Sequence, residues 1–118
     1  MFTHALAAKL EARGSKVKCM VVAPGLATTN LQHTTASDGG FSGWWLMRFA
    51  QSAEDGAMPL LHCCAGRGVK SGELWVPSGM GELKGLPGLK KLESACTNAR
   101  AGQALWEASE KACGEWKL

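Results

Sequence analysis

An α/β fold is predicted for these 118 residues, with two parallel strands and flanking helices. Three observations carry that prediction. The run from Cys19 to Ala23 is short, apolar and stopped by Pro24-Gly25, which suits a strand covered on both faces, as in a parallel sheet. Glu73 to Val76 reads as a second short strand, closed by Pro77. Between the two lies a helical pattern, so strands 17–23 and 73–76 are expected side by side, joined by a right-handed crossover whose helix begins near Ala53.

Phe2, Leu6 and Leu10 recur every fourth residue, with Lys9, Glu11 and Arg13 elsewhere around the helix. Gly14 stands where a residue beyond the last turn must adopt a left-handed backbone, so this helix spans about three turns. The strand to Ala23 follows, then the Pro-Gly turn. Residues 32–43 are loop-like by composition. Trp44-Trp45-Leu46-Met47-Arg48-Phe49 interrupts them with a dense apolar cluster, which suits a short amphipathic helix on the sheet edge. Ser52 is an N-cap with Asp55 in capping-box position. Ala57, Leu60, Leu61, Cys64 and Ala65 then give the apolar face of a helix ending near Gly66.

Gly66-Arg67-Gly68-Val69-Lys70-Ser71-Gly72 lacks the residue order and the strand-to-helix setting of a phosphate loop, and reads as a plain connection. Residues 79–88 read as an irregular surface excursion. A last helix is predicted from about Asn98 to Cys113, with Ala101, Leu105, Ala108 and Ala112 on its apolar face. Glu107 and Lys111 form an i,i+4 pair on it, and Gly114 ends it.

The chain's size allows one small domain. A net charge of +3 with dispersed Lys and Arg gives no nucleic-acid footprint, and the one local concentration, Lys84, Lys90 and Lys91, reads as solvated surface. No apolar run reaches the roughly twenty residues of a membrane span. Phe2 to Leu10, broken by His4 and Lys9, does not read as a signal peptide. Five cysteines without a CxxC pair fit reduced, buried thiols in a cytoplasmic or organelle-matrix protein better than a disulfide framework. His62-Cys63-Cys64 makes a poor metal site, since adjacent helical residues diverge by about 100° and no second ligand pair exists.

The segment Val17–Leu31, in which a strand ends in Pro24-Gly25 and a Thr follows a few residues on, resembles the short-chain dehydrogenase/reductase family, closest to its retinol dehydrogenase-like and protochlorophyllide reductase-like branches. The resemblance extends over most of the chain. Phe2–Leu10 looks like the second half of the family's catalytic helix, and Ser52–Ala57 like the start of the helix after the cofactor loop. Gly72–Val76 looks like the family's last strand, and Leu105–Lys111 like its closing helix. The resemblance implies a partial Rossmann-like, doubly wound unit: residues 1–118 as the carboxyl-terminal portion of such a domain, begun at an internal Met and lacking the amino-terminal half. The family's catalytic Tyr and Lys, four residues apart, and its glycine-rich fingerprint have no counterpart, and the chain contains no Tyr at all.

The family resemblance further implies that the loop after Pro24-Gly25 meets the nicotinamide end of NAD or NADP. The backbone amide and carbonyl of Ala27 would meet the carboxamide. The hydroxyl of Thr29, favoured over Thr28 by its spacing, would bind the carboxamide or the pyrophosphate. Pro24, Gly25, Ala27 and Thr29 are thus the candidate cofactor-binding residues, no residue is assigned as catalytic, and Thr28, Thr29 and Asn30 could instead cap the loop. The complete enzyme would move a hydride to or from a small carbonyl or alcohol substrate beneath a lid at Trp44–Phe49. This chain alone is expected to hold no cofactor and to be inactive. His4, on the first helix, reads as an exposed or packed residue rather than a replacement acid. A non-catalytic binding or interaction module derived from that family is the alternative, and an unrelated small α/β domain a third reading. With its usual neighbour missing, the strand at 17–23 would leave one edge open to self-association.

Overall fold

The structure is a computed structural model that describes residues 1–28 and 46–116. Among these residues it is α/β, with three helices and a three-stranded mixed sheet. Helix α1 (Phe2–Ala12) leads to strand β1 (Val21–Val22), and helix α2 (Ala53–Ala65) follows a short 3₁₀ turn at Leu46–Phe49. Strands β2 (Leu74–Gly79) and β3 (Lys84–Lys90) then precede a second 3₁₀ turn, Ser94–Thr97, and helix α3 (Ala99–Cys113). The strand order is β1-β2-β3. The chain divides into two compact units: Met1–Val21 with Gly68–Leu74 and Lys90–Leu118, and Val22–Arg67 with Trp75–Leu89.

In the first unit, α1 ends as its sequence predicts. The amides of Gly14 and Ser15 return to the carbonyls of Glu11 and Leu10 at 2.9 and 3.0 Å, with Gly14 at φ +67°, the paired closure that a left-handed residue allows. Helix α3 ends at Gly114 as expected, its amide donating to the Glu110 carbonyl, and is capped at its start by Asn98, whose side chain accepts from the Ala101 amide. Its buried face differs from the expected one. Gly102 and Trp106 are buried, whereas Leu105, Ala108 and Ala112 are exposed and Ala101 is half-buried. Trp106 stacks on Phe2 (centroids 5.2 Å apart, planes within 9°), and Trp116 meets both rings edge-on. An indole buries far more area than the smaller side chains of the alanine stripe, and Gly102 faces Ala5, where even a Cβ would make only ordinary contact at 3.6 Å. Lys9 sets its ammonium 4.7 Å from the Trp106 centroid. The Glu107 carboxylate accepts from Gln103 Nε2 (2.7 Å) in place of the expected Lys111 pair.

Residues 18–21 run beside 69–73. The Gly72 amide donates to the Cys19 carbonyl, and the Val21 amide to the Glu73 carbonyl. In the second unit the Ala23 amide donates to the Trp75 carbonyl, so register advances by two residues on each strand, the parallel arrangement expected. Regular strand geometry is confined to Val21–Val22, however, and Cys19–Ala23 is half-buried rather than covered on both faces. In the first unit α1 and α3 pack on each other.

Strand β2 runs through Pro77 to Gly79 instead of stopping at Val76. Residues 73 and 75 turn their backbone groups toward β1, so Pro77, in phase with them, faces the side where the chain has already turned at Pro24-Gly25. Its missing N–H therefore costs no ladder bond. Residues 79–88, expected to be irregular, form the turn and most of β3, a hairpin and hence antiparallel to β2. A Cβ at Gly79 would lie 2.9 Å from the Lys84 carbonyl oxygen, and one at Gly88 would lie 2.9 Å from Ser78 Cβ. The glycines that look like loop signals are what let the two strands close.

The buried face of α2 is also not the expected one. Gly56 and Pro59 are buried, His62 and Cys63 half-buried, while Leu60, Leu61, Cys64 and Ala65 are exposed. Gly56 packs on Ala27, and His62 lies 4.4 Å from the Trp75 ring centroid. The cysteines depart from expectation as well: Cys19, Cys63 and Cys96 are half-buried, and Cys64 and Cys113 exposed.

Candidate functional site

The loop after β1 is built by the second unit alone. Gly25 sits at φ +75°, the left-handed region that a glycine enters without strain. The space beside it is filled by protein. A Cβ there would lie 2.6 Å from the Leu83 carbonyl oxygen, 2.7 Å from Pro77 Cγ and 3.1 Å from Gln51 Nε2. This glycine serves close packing of the hairpin turn, where the sequence suggests room for a ligand. The contact is fixed by the Leu26 amide, which donates to the Leu83 carbonyl at 2.7 Å.

Gln51, buried at 9% exposure, holds the rest of the loop. Its amide donates to the Leu26 carbonyl (3.0 Å) and its carbonyl accepts from the Thr28 amide (2.9 Å), an isolated parallel bridge opposite Ala27. Its side chain completes the frame, with Nε2 donating to the Pro24 carbonyl (2.9 Å) and Oε1 accepting from the Gly85 amide (3.3 Å). A buried side-chain amide with partners at both ends is the satisfied form of a group that is costly to bury otherwise. No motif announces Gln51. The one sequence signal is a polar residue between Ala50 and the N-cap Ser52.

The bridge uses the carbonyl of Leu26 and the amide of Thr28, so the N–H and C=O of Ala27 itself point away from Gln51. A residue presenting one backbone donor and one backbone acceptor on the same side of a rigid frame can pair with a carboxamide, whose needs are the same. Of the candidate residues, Pro24 is exposed, Gly25 half-buried and Ala27 buried, while Thr29 lies outside the described residues, as do Trp44 and Trp45 of the expected lid. Ser52 starts α2 next to Gln51: its Oγ accepts from the Asp55 amide at 3.0 Å. The Glu54 carboxyl is held below its ordinary value by a backbone hydrogen bond and by Ser52.

His4, in the first unit, has its Nδ1 buried and without a hydrogen-bond partner among the described residues. Among the described residues no cluster of His, Cys, Asp or Glu could hold a metal ion, and no helix is long and apolar enough to cross a membrane. A shallow groove of about 600 Å³ in the first unit is lined in part by Lys16, Lys18 and Lys70. Two of its polar groups are engaged internally, Lys18 Nζ with the Val69 carbonyl (2.6 Å) and Ser71 Oγ with the Cys19 backbone. No protein-family profile matches this chain, and comparisons with curated proteins and with solved structures return no match.

Proposed function

We propose that the chain is the carboxyl-terminal part of an NAD(P)-dependent short-chain oxidoreductase, in a Rossmann-like unit, with the loop from Pro24 to Thr29 meeting the nicotinamide end of the cofactor. The observation that carries this is a parallel β1–β2 pair with α2 between them in the chain and the Pro24-Gly25 loop at the carboxyl end of β1. In open α/β sheets that end is where ligands bind. The N–H and C=O of Ala27, turned away from Gln51, support the fit to a carboxamide, and Pro24 and Gly25 support it indirectly by shaping the loop.

The bound nicotinamide would supply the hydride acceptor or donor. The residues of this chain would orient its carboxamide through the Ala27 backbone, while Gln51 keeps the loop in place. With no Tyr in the chain, the family's proton donor is not among its residues. On this reading the isolated chain orients rather than catalyses.

The test is the in-frame transcript before Met1. The family reading expects a Tyr-x-x-x-Lys there, its Tyr within about ten residues of Met1, or roughly three helical turns. An in-frame stop codon in that interval of the mature transcript would overturn it in favour of a non-catalytic interaction module. The exposed apolar face of α2 is the observation that favours that second reading.

A further inference from the structure

The groove of about 600 Å³ in the first unit gathers positive charge. Its walls come from α1, from the link between α1 and β1, and from the segment before β2. Lys16 and Lys18 stand on the link and Lys70 on the segment, against one lining carboxylate, Glu11. The run at 66–72 lacks the residue order of a phosphate loop, yet folding brings its Lys70 to the groove with two lysines from a distant part of the chain. Among the described residues none of the three lysines is paired with a carboxylate. Glu73, which does not line the groove, gives its carboxylate to the Lys70 amide at 2.8 Å. Lys18 is held in place: its Nζ donates to the Val69 carbonyl at 2.6 Å, which uses one of its three N–H groups and leaves two for a ligand. That side chain is already ordered, so binding takes less of its rotamer freedom. A concavity lined mainly by one sign of charge raises the local concentration of the opposite ion.

We propose that this groove binds a small organic phosphate, its charged group held by the ammonium groups of Lys16, Lys18 and Lys70 and its apolar body lying against Ala7, Val17 and Val69. Three lysines against one glutamate suit an anion that carries more than one charge. Ammonium groups act as point charges, which fits the tetrahedral oxygens of a phosphate; the planar fork that pairs with a carboxylate belongs to arginine, and no arginine lines the groove. Val17, 63% exposed, gives an apolar body something to cover, and Ala7 and Val69 are buried beside the same space. The volume lies within the roughly 300–1,000 Å³ of small-molecule sites. The site contains no residue of the Pro24–Gly25 loop and does not depend on the oxidoreductase reading.

Titration of the 118-residue chain with phenyl phosphate, followed at its amide resonances, tests the site. Saturable shifts are expected at residues 16–18 and 69–71, with a dissociation constant of about 1 mM or below at low salt. Phenyl phosphate should bind tighter than inorganic phosphate, which lacks the apolar body, and tighter than benzoate, which carries a single charge. Lys16→Gln and Lys70→Gln, both at exposed positions, should each weaken binding about fivefold. Glu11→Gln should tighten it, a change that unfolding cannot imitate. Lys91→Gln alters the net charge equally outside the groove and should leave binding unchanged. Absence of saturation up to about 10 mM overturns the proposal. So does inorganic phosphate or benzoate binding as tightly as phenyl phosphate, an equal loss in Lys91→Gln and Lys16→Gln, or weaker binding in Glu11→Gln.

Discussion

Replacing Gly25 by Ala separates two roles that this glycine could have. If it is there to admit a ligand, a methyl group costs binding and little stability. The packing around it says otherwise. At φ +75° a residue with a Cβ carries roughly 1–2 kcal/mol of backbone strain. The new Cβ would then stand 2.6 Å from the Leu83 carbonyl oxygen and 2.7 Å from Pro77 Cγ, a backbone atom and a ring atom that cannot swing aside. Relief requires the hairpin turn to move, which breaks the Leu26–Leu83 bond, worth about 1 kcal/mol. Overpacking adds another 1–2 kcal/mol or so, for a total of about 3–5 kcal/mol. Gly81→Ala is the internal control. It has a similar φ of +63° but nothing within 4 Å of its Cβ, and should cost only about 1 kcal/mol. Because the chain divides into two units, hydrogen exchange at the Leu26 and Thr28 amides reads the effect more directly than a global melt. Protection lost at both amides in Gly25→Ala and kept in Gly81→Ala is the expected pattern. Equal behaviour of the two variants would refute the packing argument and return Gly25 to a ligand role.

Ser52→Ala removes the N-cap of α2 and should destabilise the second unit by about 1 kcal/mol in urea titration. The same unit should weaken with acid. The folded Glu54 carboxyl lies below its ordinary 4.5, so its contribution is complete above that pH and lost as pH falls through the lowered value, a slope that Ser52→Ala should flatten. Burial raises the Cys19 thiol above its ordinary value, so at pH 8 it should alkylate more slowly than the exposed Cys64 and Cys113, as peptide mass spectrometry would read; equal rates would contradict it. The purified chain should neither reduce a carbonyl nor bind NADH or NADPH with useful affinity, and turnover abolished by Thr29→Ala would show the reverse.

The helix ends were legible in the chain because caps act over a few residues. Ser52, Gly66, Asn98 and Gly114 each stand at the boundary that local hydrogen bonding assigns them, and Gly14 closes α1. The parallel pair was legible for the same kind of reason: a short apolar run ending in Pro-Gly, then a helix, then a second short run, permits few connections. The position of the candidate loop at the end of β1 follows from that order. What the chain could not show is which side of each helix is buried. Trp106 overrode the stripe containing Leu105 because it met Phe2 and Trp116, and the side of α2 with Gly56 turned inward because at Gly56 even a Cβ would lie 2.8 Å from that of Ala27. Likewise, Gly79, Gly85 and Gly88 carry no periodic signal, yet a Cβ at any of them would crowd the opposite strand at 2.9–3.1 Å. Gln51 has no local signature, since its partners at Pro24 and Gly85 are 27 and 34 residues away and are assembled by the hairpin. Local sequence determined where elements start and stop; contacts distant in sequence decided which faces they bury, because burial depends on the shape of the partner as much as on the hydrophobicity of the residue.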